Sequence, residues 1–149
     1  MKHFYFKTIF FFFFIGSFSS IAQTTHQVSV MASVSNNALS LQGILDLDVP
    51  SAGSDGKAIH LVAIADISDL SEFGIGVANN GGGTDGMEEV LPSMSVLAGE
   101  HILLARDASA MSNYFGDCMS EFDHVLDASS AISQNGDDAI ELFEGETVI

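Results

Sequence analysis

The chain has 149 residues with 20 acidic and 4 basic side chains, a formal net charge of −16 and 47% hydrophobic residues. That balance disfavours direct nucleic-acid, anionic-lipid or phosphate binding and favours cations. The single cysteine, Cys118, excludes an internal disulfide and any cysteine-type zinc site, so stability has to come from a core in which Cys118 is expected to be buried.

Met1 to Ala22 has the layout of a secretory signal peptide. Lys2 and Lys7 form a basic start, Ile9 to Ile15 is an apolar run rich in Phe, and Ser20-Ile21-Ala22 supplies small residues for cleavage before Gln23. The apolar run falls short of the roughly 20 residues that span a bilayer, so no membrane span is expected after cleavage. The expected location is secreted or at the cell surface. All the acids follow position 45, and Lys57 and Arg106 are the only basic residues past the leader. Residues 23–37 read as a polar spacer, and 38–149 as one domain.

Within that domain, short apolar runs alternate with Gly, Asp, Asn and Ser clusters, which predicts an all-β sandwich. Leu39, Leu41, Leu45, Leu47 and Val49 alternate with polar residues, predicting a half-buried strand that ends at Pro50, with Gly43 marking a bulge. After a turn over 51–56, Lys57 to Ala65 reads as a central strand with Ile59, Leu61, Val62 and Ile64 as core choices. Asp66 to Phe73 is a short helical or irregular connection with Leu70 and Phe73 inward. An extended run through Ile75 and Val77 leads into the loop Asn79 to Gly86, and Glu89 to Leu91 leads out of it. Residues 92–98 form another connection. His101 to Ala105 predicts a strand with Ile102 and Leu104 on one face. Asp107 caps a short helix carrying Ala108, Met111 and Phe115, and Gly116 suits the position past its end. The last fifteen residues read as a turn at Asn135-Gly-Asp-Asp138, a strand with Ile140 and Leu142 inward, a second turn, and a strand at Thr147 to Ile149 with no room to pair.

No arrangement of residues along the chain points to catalysis. Gly81, Gly83 and Gly86 match G-x-G-x-x-G, but Met87-Glu-Glu-Val-Leu-Pro92 follows in place of a phosphate-facing helix, so a flexible loop is expected. His60, His101 and His124 are scattered and read as structural or surface residues. Glu88 with Glu89 and Asp137 with Asp138 read as solvated or capping acids. Calcium is the one cofactor the composition suggests: Asn79, Asn80 and Asp85 in one loop and Asn135, Asp137 and Asp138 in another carry hard oxygen donors, without the D-x-[DN]-x-[DN]-G spacing.

Four stretches in order carry a resemblance: Asp66-Ile-Ser-Asp-Leu-Ser71, Phe73-Gly-Ile-Gly76, Ala78-Asn-Asn-Gly-Gly-Gly-Thr-Asp-Gly86 and Asn135-Gly-Asp-Asp-Ala-Ile-Glu-Leu-Phe143. Together with Ala98-Gly-Glu100, from Leu39 onward, the chain resembles a bacterial secreted lamin-tail domain. The resemblance implies an immunoglobulin-like β-sandwich and an extracellular module without catalytic residues, which assists binding or attachment to an extracellular protein, a glycan or an attached hydrolase domain. Phe73 is displaced by Glu72 from the family's aromatic position, and the family's closing strand continues beyond Val148-Ile149, so the domain is expected to be incomplete at its C-terminus. Two other readings are a calcium-dependent adhesion or carbohydrate-binding module, and the accessory domain of a secreted nuclease or other hydrolase.

Overall fold

The computed structural model describes residues 37–48, 54–128 and 130–149. The expected leader, nearly all of the spacer, and Val49 with Pro50 lie outside these residues. The described chain forms eight strands in two four-stranded sheets, with one α-helix. The first sheet has the order β1 (Leu39–Leu47), β2 (Gly56–Ala63), β5 (His101–Ala105), β6 (His124–Asp127). The second has the order β4 (Glu89–Val90), β3 (Phe73–Ala78), β7 (Ala139–Glu144), β8 (Thr147–Val148). Every pairing is antiparallel except β5 with β6, which is parallel.

The sheets face each other across one apolar layer. Leu39, Ile59, Leu61, Ile102 and Leu104 from the first meet Ile75 and Leu142 from the second, with Leu70, Phe73, Leu91 and Ile132 closing the rim. Burial of this surface is the main favourable term available to a chain without disulfides. The result is an all-β sandwich with one short helix.

A bulge in β1 gives its leucines two destinations. Leu41 pairs with Leu61, yet Gly43 pairs with His60, so Gln42 is an extra residue and the strand changes face. Leu39 and Leu41 therefore belong to the core between the sheets, whereas Leu45 joins a second cluster on the outer face. That cluster contains Ala58, Leu103 and Ala105 beneath Met111 of α1 (Ala108–Phe115). Asp107 caps α1 by accepting from the Ala110 N–H, and Gly116, at φ 55°, ends it. The helix makes the crossover that parallel strands require, from β5 to β6.

Four expectations need correction. Val62 is half-buried and Ile64 is 59% exposed, because Ile59, Leu61 and Ala63 take the inward positions and period-two alternation turns their neighbours out. Cys118 is exposed, since it follows α1 in a 3-10 segment, Gly116–Glu121, at the surface. His124–Asp127 is a strand that the sequence pattern did not indicate. Finally, the last strand does pair: Phe143 faces Val148, Glu144 faces Thr147, and the Ile149 N–H donates to the Leu142 carbonyl.

Candidate functional site

β3 ends at Ala78 and β7 begins at Ala139, and these two residues are register partners. The Asn- and Gly-rich loop and the Asn135-to-Asp138 turn must therefore emerge side by side. Asn80, at φ 52° in the left-handed region, turns its backbone N–H to Asp138 Oδ1 at 2.8 Å. Asp138 Oδ2 accepts from the Asn135 N–H at 2.7 Å and from the Asn135 side-chain amide at 3.3 Å. One carboxylate thus ties the two loops together. Of the six oxygen-bearing residues singled out in the sequence, Asn80, Asn135 and Asp138 come together. Asn79 instead donates its amide to the Val77 carbonyl, and Asp85 and Asp137 are exposed outside the network.

Beside this junction lies a buried cation that sequence reasoning passed over. The Lys57 side chain is 8% exposed, and its Nζ donates to Asp46 Oδ1 at 2.5 Å, to the Gln134 carbonyl and to Asn135 Oδ1 at 3.4 Å. Three oxygens suited to a hard cation are thereby held by an ammonium. Gln134, 1% exposed, extends the network by donating its side-chain amide to the Leu45 carbonyl at 3.0 Å. Arg106, next to Lys57 through an N–H to carbonyl bond of 2.9 Å, donates to the carbonyls of Ile132 and Ser130. Lys57 and Arg106 therefore both hold the connection between β6 and β7 against the first sheet. Their scarcity was the signal available in the sequence.

Two acids outside this network serve the backbone. Glu88 Oε2 accepts from the Val77 N–H, which lies past the end of the short β4. Asp69 accepts from the Ser71 hydroxyl and N–H, and so caps the 3-10 turn Leu70–Glu72. Among the described residues, no three His, Cys, Asp or Glu side chains converge as a metal-holding group. No helix among them is long and apolar enough to cross a membrane.

Two of the histidines meet. His60 Nε2 lies 2.9 Å from His101 Nδ1, with the ring centroids 5.1 Å apart and the planes 29° from parallel, and the Phe122 ring stands at 88° to His60 at the same centroid distance. His124 instead pairs with Glu100 at 2.9 Å. A groove of about 320 Å³ runs between β1 and the β7–β8 edge, bordered by Leu41, Ile64, Ile140, Val148 and Ile149.

These contacts set two windows of acid sensitivity. Burial, then the neighbouring His101 charge, lowers the His60 pKa. The unfolded imidazole takes its proton first, so stability starts to fall as pH drops through about 6.5. Carboxyl pKa values are lowered at Asp69 by the Ser71 hydroxyl and N–H, at Glu100 by His124 and the Leu97 N–H, and at Asp138 by the Asn80 and Asn135 N–H groups. Their contribution is present above the ordinary carboxylate range and is lost as pH falls through it. Thermal midpoints measured from pH 8 to 3 should show both steps, and Asp138→Asn should shrink the lower one. A midpoint independent of pH over that range would contradict these assignments.

Compared with family models, curated proteins and solved structures, the chain gives no match.

Proposed function

We propose that this chain is a secreted, non-catalytic, lamin-tail-like module of immunoglobulin type that binds an extracellular protein or glycan, or serves an attached hydrolase domain. The observation that carries this reading is the employment of its motif residues in holding the fold. Asp69 of the D-L-S element caps a turn, Gly74 and Gly76 lie under the β3–β4 loop, and Asp138 of N-G-D-D fastens two loops together. These are the duties of a scaffold that presents a surface. The groove bordered by Ile64 and Val148 is the concave surface that this reading assigns to the partner.

The convergence of Asn80, Asn135 and Asp138 favours one second reading, a calcium-dependent adhesion or carbohydrate-binding module. Millimolar calcium separates the two. With Lys57 already on Asn135 and Asp46, the thermal midpoint should stay within about a degree of its calcium-free value. A rise of many degrees, as expected for a ligand held only by the folded state, would replace the first reading with the second.

A further inference from the structure

Beneath α1, on the outer face of the first sheet and apart from the groove at the β7–β8 edge, lies a cavity of about 100 Å³. It follows from the β1 bulge. The bulge turns Leu45 outward to join Leu103 of β5, and the eight residues of α1 with the 3-10 segment behind them roof these two side chains. Leu103 and Met111 form a floor that is 1% and 0% exposed. Phe115 and Phe122 are half-buried walls, and the exposed Cys118 stands at the entrance.

We propose that this cavity binds a neutral apolar molecule about the size of a single six-carbon ring, with Cys118 at its mouth. The volume sets the size. An enclosed apolar cavity of about 150 Å³ accepts benzene, so a smaller one open at one side takes such a ring with an edge toward solvent. The lining sets the polarity, because Leu, Met, Phe and Cys side chains offer carbon and sulfur and nothing that orients a hydrogen-bonding group. A bound ring gains dispersion contact with two aromatic faces and two sulfurs.

The flanks set the charge. Asp117 and Glu121 share the 3-10 segment with Cys118, Asp123 follows Phe122, and there is no Lys or Arg from Asp107 to Asp127. A carboxylate-bearing ligand such as a fatty acid is therefore repelled at the mouth. Both aromatic walls are held from outside the cavity. The Phe115 ring meets Tyr114 at 87° with centroids 4.9 Å apart, and the Phe122 ring meets His60 at 88° and 5.1 Å. The Phe122 N–H also donates to the Met119 carbonyl at 3.2 Å. Walls braced in this way lose little freedom when a ligand enters.

The test titrates the full chain at pH 7 with benzene and, separately, with benzoate. Benzene should shift the methyl resonances of Leu45, Leu103 and Met111 along one saturable curve. It should also slow the reaction of Cys118, the chain's single cysteine, with a neutral maleimide at least threefold at saturation. Benzoate should do neither. Cys118→Phe puts a ring into the entrance from an exposed position and should weaken benzene binding at least tenfold. Should that variant fail to fold, the methyl shifts and the maleimide rate of the wild-type chain decide the matter together. Unmoved methyls with an unchanged rate, first shifts at Ile140 and Ile149 in the groove, an equal response to benzoate, or undiminished binding by folded Cys118→Phe would overturn the proposal.

Discussion

Replacing Lys57 by methionine should destabilise the folded chain by about 2–4 kcal/mol, measured as a drop in urea midpoint at pH 7 with an unchanged slope. Methionine keeps most of the side-chain volume, so the change isolates the ammonium. Three oxygens lose their donor. The Asp46 side chain is 38% exposed and can regain water, but the carbonyl of Gln134 belongs to a residue that is 1% exposed. An orphaned buried acceptor costs its full desolvation penalty, and it is the larger part of the expected effect. Because this carbonyl anchors the connection to β7, Lys57→Met should also loosen amide-exchange protection from Ile132 to Asp138 before the rest of the sandwich. A loss under about 0.5 kcal/mol would mean that water replaces the ammonium and that the cation is dispensable.

The second large effect belongs to the glycines of Phe73-Gly-Ile-Gly76. A Cβ added at Gly76 would lie 2.5 Å from the Gly86 carbonyl oxygen and 2.9 Å from the Phe143 ring. At Gly74 it would meet the flexible Met87 side chain and lie 2.6 Å from the Glu89 carbonyl oxygen. At both positions one obstacle is a backbone carbonyl, which cannot rotate aside. Gly76→Ala should therefore cost about 2–3 kcal/mol by lifting the loop off β3, with Gly74→Ala close behind. Gly83 is the control. Its φ is +85° but the space around it is open, so Gly83→Ala should cost only about 1 kcal/mol of backbone strain. Thermal unfolding of the three variants checks the order, and equal losses at Gly76 and Gly83 would remove the steric argument.

The strands were legible from their apolar runs. In His101–Ala105 and Ala139–Glu144, Ile102, Leu104 and Leu142 are buried as expected, whereas the burial of Leu103, Ala105 and Phe143 as well comes from packing that alternation alone does not show. The helix was legible from its punctuation, Asp107 before it and Gly116 after it. The β1 bulge was visible as a glycine, but its effect was not. Regular alternation put Leu45 with Leu39, and only the register with β2 shows that they serve different clusters. His124–Asp127 escaped notice because four residues in half-buried alternation carry little signal of their own, and parallel pairing with β5 supplies the rest.

Sites were harder to read for a related reason. Asn80 and Asp138 are 58 positions apart, Lys57 and Gln134 are 77 apart, and His60 and His101 are 41 apart. Local spacing encodes none of these meetings. Single residue types gave partial clues, such as acids in turns and two cations in an acidic chain. Their partners follow from strand order, which places the end of β3 against the start of β7 and β2 against β5.

The placement of those two cations has a further consequence for digestion. Trypsin cuts after lysine or arginine, and beyond Lys7 the sequence offers it only Lys57 and Arg106. Lys57 is buried and Arg106 half-buried, and both side chains are fastened to carbonyls of the β6–β7 connection. A protease needs an extended, accessible segment, so neither bond can enter its cleft until the first sheet opens. The rate of tryptic cleavage at these bonds therefore follows the population of the opened sheet.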